Sequence, residues 1–172
     1  MEMKIPFYNI VNMLLTGLVF VGGLIIIFPQ YAIQLIQSEI YENLKTGPEV
    51  ILTICIFAVA YEIGLIINRV GSVIIEPLLK KSKLIPFNDD YTLFNNKKKE
   101  YSIMDTLSRE FALSRTSIAL FLILSVVAIL NKSCVIFISC FFIMIVFYLS
   151  CKKHSSKIVE LMNKPKESAV QK

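Results

Sequence analysis

FALSRTSIALFLILSVVAILNKSCVIFISCFFIMIVFYLSC, residues 111–151, decides the fold. Two apolar blocks, 111–130 and 134–151, flank the three residues Asn131-Lys132-Ser133. Each block has the length of a bilayer crossing, which takes about 17–25 mainly apolar residues as helix. So short a turn sends the second block back beside the first as an antiparallel helical hairpin. Neither block alternates apolar with polar residues as a transmembrane β-strand does. A helix also satisfies its backbone groups within the segment, as lipid requires.

Outward from the hairpin lie two more blocks of the same kind. Residues 11–28 (VNMLLTGLVFVGGLIIIF) are uncharged and stop at Pro29, and residues 50–68 (VILTICIFAVAYEIGLIIN) are interrupted only by Glu62. The first block exceeds a signal-peptide core and has no A-x-A-like cleavage site after it, so it is expected to be retained. Composition agrees: 55% of the 172 residues are hydrophobic and the mean hydropathy is +0.65, more than the roughly 45–50% apolar content of a soluble domain. The expected fold is therefore all-α, an integral membrane bundle of four transmembrane helices. It forms a single domain over 1–172, with spans near 11–28, 50–68, 111–130 and 134–151.

Lysine and arginine set the orientation. Lys4 precedes the first span, nine basic residues lie between Arg69 and Arg115, and six follow Cys151, while only Lys45 and Lys132 lie in the alternate connections. With both termini cytoplasmic, sixteen basic residues fall inside and two outside, as the positive-inside rule demands. The central segment, about 69–110, and the tail, 152–172, are then cytoplasmic. The net charge of +5 belongs to that face, where it sorts topology and attracts anionic lipid at about 1 kcal/mol per basic residue. Direct nucleic-acid binding is not expected.

Between the spans, Ile33, Leu35, Ile36 and Ile40 recur near helical spacing, so a short helix on the outer surface is expected before a break at Gly47-Pro48. The second block runs on past Arg69 as VGSVIIEPLL, either as one long helix or with a kink at Gly71-Ser72, and Pro77 is its first strong breaker. KKSKLIPFNDDYTLFNNKKKE, residues 80–100, reads as a loop. Ile103, Met104, Leu107 and Phe111 then form one helical stripe leading into the third span, and Ile158, Val159, Leu161 and Met162 repeat the theme in the tail.

Glu62 is the residue that most needs a role. An acid inside a span costs about 2.5–3.5 kcal/mol on insertion scales, so it is expected to face the bundle and find a partner. Glu62, Arg69 and Glu76 are seven apart, nearly on one face of a continuous helix. A direct Glu62–Arg69 pair is a long reach, and Arg109 or Arg115 could serve instead. Glu62, Asn68 and Arg69 are thus expected to form a polar brace, with an ion or proton path as the other reading. Ala60, Gly64, Asn68 and Ser72 make a small or polar stripe that lets helices approach closely, and Gly17, Gly22 and Gly23 could match it. Lys97, Lys98, Lys99, Arg109 and Arg115 form the expected surface for a cytosolic partner.

No catalytic, cofactor or metal residue is expected. The chain has no G-x-x-x-x-G-K-[ST], G-x-S-x-G or H-E-x-x-H. Its only histidine, His154, sits in a basic collar, and Cys55, Cys134, Cys140 and Cys151 form no C-x-x-C pair. The cysteines read as thiols packed in the bundle, although a Cys55–Cys134 disulfide is geometrically open. Asp89-Asp90 reads as a solvated turn.

The whole plan, together with YEIGLIINRVGSVIIEPLLKK (61–81) and LSREFALSRT (107–116), resembles the small polytopic proteins of bacterial phage-defence systems, the membrane subunit of the Kiwa system among them. The resemblance implies a homo-oligomer in the bacterial inner membrane that works with a cytosolic partner and senses or answers disturbance of the envelope. It adds no functional residues. The expected function is a non-enzymatic sensor, effector or scaffold, and the alternative is a small oligomeric channel or transporter.

Overall fold

The computed structural model describes residues 7–37, 49–86, 88 and 90–164. Among these residues every regular element is helical. They are α1 (Phe7–Ile27), α2 (Pro29–Ile36), α3 (Glu49–Val70), a π turn (Gly71–Ile75), α4 (Glu76–Lys81), α5 (Tyr91–Glu100), α6 (Ile103–Leu130) and α7 (Cys134–Asn163). Four helical runs are long and apolar enough to cross a membrane: Phe7–Ile27, Thr53–Lys81, Ile103–Leu130 and Cys134–Asn163.

The bundle consists of two antiparallel pairs. α1 lies on α3, and α7 lies on α6. The small stripe on α3 faces α1 as its period requires: a methyl at Gly17 would strike the Ala60 backbone, and one at Gly64 would strike that of Met13. Gly22 meets nothing, and Gly23 abuts the Leu124 side chain of α6. α6 is central, with 50% of its apolar stretch buried against 11% for α7. Ile118, Ala119, Leu120, Leu124 and Ala128 turn into the core, whereas α7 packs mainly on α6.

The hairpin turn is as tight as its three residues imply. Lys132 takes a left-handed φ of 56°, and Ser133 N–H donates to Ala128 O at 2.9 Å. Asn131 Nδ2 donates to Ile27 O at 2.6 Å. This bond satisfies a carbonyl that the end of α1 would otherwise leave open and ties the two pairs together. Pro29 does not end helical structure, because it opens α2 after the single non-helical Phe28. Proline suits a first helical position, where its missing N–H costs nothing. Gly47-Pro48, Asp89 and the tail from Pro165 lie outside the described residues.

At the opposite, basic end the helices overrun the spans. α6 has 28 residues and α7 has 30, about 42 and 45 Å at 1.5 Å per residue, against a hydrocarbon core of about 30 Å. The overhang carries a second small core of Met104, Leu107, Leu161 and Met162, with Leu93, Phe94 and Tyr101 packed on it. The two stripes read from sequence thus meet each other. α5 corrects the reading of 80–100 as a loop. Asp90 Oδ1 accepts the Leu93 N–H at 2.9 Å, an N-cap worth about 1 kcal/mol, and Leu93 and Phe94 anchor the helix.

Candidate functional site

The polar residues gather where α3 passes into α4. After Gly71 the helix widens into a π turn, closed by Glu76 N–H donating to Gly71 O. One surplus residue sets everything beyond it back by about 100° relative to an unbroken α-helix. Glu76 therefore leaves the face of Glu62 and Arg69 and turns inward. The turn ends just before Pro77, whose nitrogen cannot donate to the preceding turn. Gly71 lets α6 come close, since a Cβ there would lie 3.3 Å from Thr116 Cα.

Glu76 is held from two sides. Arg115 Nη1 donates to Glu76 Oε2, and Lys80 Nζ lies 2.6 Å from Glu76 Oε1. The Arg115 and Glu76 side chains are only 13% and 17% exposed, so this is an enclosed pair. Arg115 Nε is buried without a hydrogen-bond partner. The expected brace at Glu62, Asn68 and Arg69 is therefore corrected in two of its three members. Glu62 and Arg69 are exposed, and neither has a partner among the described residues. Asn68 does brace, accepting from Thr116 Oγ1 at 2.8 Å.

The expected partner surface is also divided. Lys98, Lys99 and Arg109 are exposed, with Lys98 Nζ 2.7 Å from Asp105. Arg115 turns inward to Glu76, and Lys97 is only 3% exposed. Lys97 lies one turn beyond Leu93 on the inner side of α5. Its Nζ sits 3.0 Å from Glu100 Oε2 and 5.3 Å from the Tyr101 ring centre, although no contact there meets hydrogen-bond geometry. A loop would have left the three lysines equivalent. A helix does not.

Two cavities share the wall formed by Ser108 and Ala112 of α6. The first, about 290 Å³, lies among α4, α5, α6 and α7 and is mainly apolar, with Phe94, Phe111, Ile158 and Met162 facing the Glu76–Arg115 pair. The second, about 240 Å³, lies among α1, α3 and α6 and brings the polar side chains of Asn9, Asn12, Thr16, Asn68, Ser108 and Thr116 to one wall beside Met13 and Leu113. Arg109 and Tyr8 border it, with the guanidinium 5.5 Å from the ring centre. Thr16 spends its hydroxyl on Asn12 O at 2.7 Å. The side-chain amides of the half-buried Asn9 and Asn12 have no hydrogen-bond partner among the described residues, which leaves them open to water or a ligand.

Sequence reasoning passed over Asn9, Asn12 and Thr16. The spacing of three and four on an apolar helix was the available signal, because it places all three on one face. It also passed over the Ser114–Ser150 link, 3.0 Å between hydroxyls of α6 and α7. All four cysteines are free, Cys140 and Cys151 buried, Cys55 and Cys134 exposed. Among the described residues no group of three His, Cys, Asp or Glu side chains converges to hold a metal ion. Known protein families, curated proteins and solved structures yield no match to this chain.

Proposed function

We propose that the chain is a non-enzymatic multi-pass protein of a bacterial inner membrane, with its basic end in the cytoplasm. It acts there as an oligomeric sensor, effector or scaffold for a cytosolic partner. One observation carries this reading: α6 and α7 run without a break from the apolar layer into the small head at the basic end, where Met104 and Leu107 pack on Leu161 and Met162. A tilt or separation of the spans is transmitted directly to the head, because no loop intervenes to absorb it. The head exposes Lys98, Lys99, Arg109, Lys152 and Lys153, a surface suited to an acidic partner. Antiviral defence, which the resemblance of 61–81 and 107–116 to membrane subunits of phage defence implies, is part of the same proposal.

The test is affinity purification from membranes of the native chain and of a Lys98→Glu/Lys99→Glu/Arg109→Glu variant. The native chain should retain a cytosolic protein that elutes as salt rises, since exposed charges are screened beyond about 8 Å at physiological ionic strength. The variant should lose that protein while still inserting in the membrane. Equal retention by both would remove the basic surface from the proposal.

The polar side chains gathered in the cavity among α1, α3 and α6 favour a second reading, a small channel or transporter. Polar groups at membrane depth mark ion and substrate pathways when they line a wetted cavity. Cysteine placed at Asn12 or Thr16 should then react with a membrane-impermeant thiol reagent applied from the cytoplasmic side. A channel further requires access from the outer side.

A further inference from the structure

Cys55, Val59, Glu62, Ile66 and Arg69 of α3 are all exposed, and they follow one another at intervals of four, three, four and three. This is the spacing of a coiled-coil seam, and it spans about 21 Å of helix. Nothing among the described residues covers it: α1 and α6 take the opposite face, through Ala60, Gly64, Ile67 and Asn68. At the middle of the seam the Glu62 carboxylate has no partner among the described residues. It lies about 10.5 Å along the helix from Arg69.

We infer that a second copy of the chain docks on this seam, α3 against α3 in parallel, with Glu62 facing Glu62 of the neighbour. The inference rests on the membrane reading given above, and three features select this occupant. Lipid offers a carboxyl group no hydrogen bond, so the group that answers Glu62 must come from protein at the same depth. Every copy inserts with the same orientation, so a neighbouring α3 brings an identical carboxyl to that depth without adjustment of register. Two carboxyl groups in contact can hydrogen-bond through a shared proton. Finally, the exposed aliphatic Val59 and Ile66 lie on the seam on either side of Glu62, where they can pack on the same residues of the neighbour and enclose the carboxyl layer.

The chain carries its own probe. Cys55 lies seven residues before Glu62 on the same seam and is exposed and free. A parallel pair would bring the two Cys55 residues within disulfide reach, about 4.4–6.8 Å between Cα atoms. Mild copper–phenanthroline oxidation of the native protein in its membrane should give a covalent dimer. Cys55→Ser should abolish that dimer, and Cys134→Ser, which removes the other exposed thiol, should leave it. Glu62→Gln should cross-link like the native chain, because amides also pair, whereas Glu62→Leu should reduce the dimer severalfold. Among the described residues Glu62 has no polar partner, so both variants should keep native helicity by circular dichroism. A monomer after oxidation, a dimer joined through Cys134, or an undiminished dimer from Glu62→Leu would each overturn the inference. Partner capture through the basic head is read separately, so either result can fail alone.

Discussion

Around Glu76 every charge is answered within the chain, by Arg115 from α6 and Lys80 from α4. Around Glu62, on the same helical run, the exposed neighbours are the aliphatic Val59 and Ile66. Both acids stand in apolar stretches of similar composition, so composition does not explain the difference. Phase does, because the π turn swings one acid toward α6 and leaves the other facing away from the bundle. A region whose charges are paired within the chain can hold its shape alone. A region with an unanswered carboxylate is where the proposed second copy would dock.

The sharpest way to break this comparison is to remove the answer to Glu76. Arg115→Ala leaves an enclosed carboxylate with Lys80 alone, and losing one member of a buried pair costs about 3–5 kcal/mol. Thermal unfolding in detergent, followed by circular dichroism, should show a large fall in midpoint, and an unchanged midpoint would mean the pair contributes nothing. Gly64→Ala comes next. The added methyl meets the Met13 backbone, which cannot rotate aside, so α1 must move, at an overpacking cost of about 1–3 kcal/mol. Thr116→Val should cost less, about 1 kcal/mol, since it keeps the shape and removes only the hydroxyl that Asn68 Oδ1 and Ala112 O share as acceptors. Glu62→Leu should leave the melting of the dispersed monomer unchanged. A clear loss there would give Glu62 a partner inside the chain and erase the contrast.

Much of this arrangement was legible before any coordinates. Bilayer-length apolar blocks and a three-residue turn leave few alternatives, and the Ala60-Gly64-Asn68-Ser72 stripe follows from helical period alone. What escaped has specific physical causes. A constant 3.6-residue period cannot register a π turn, so Glu76 was placed beside Glu62 and Arg69. α5 is short and buries few apolar residues, leaving little periodic signal, although Asp90 ahead of Leu93 was a cap that could have been read. Lys97 was grouped with Lys98 and Lys99 because adjacent residues diverge only once they are known to be helical.

The π turn also has a genetic consequence. Because it sets the downstream helix back by about 100°, the segments on either side stand in the relative phase of a regular α-helix one residue shorter. A one-codon deletion at Ser72, made with Pro77→Ala so that the regular helix is not interrupted, should leave Glu76 facing Arg115 and Gly64 facing Met13. The same deletion at Leu65 would twist the two halves out of phase and undo both contacts. Within the run from Glu49 to Lys81, the reading frame of the helix can lose a residue harmlessly at one place.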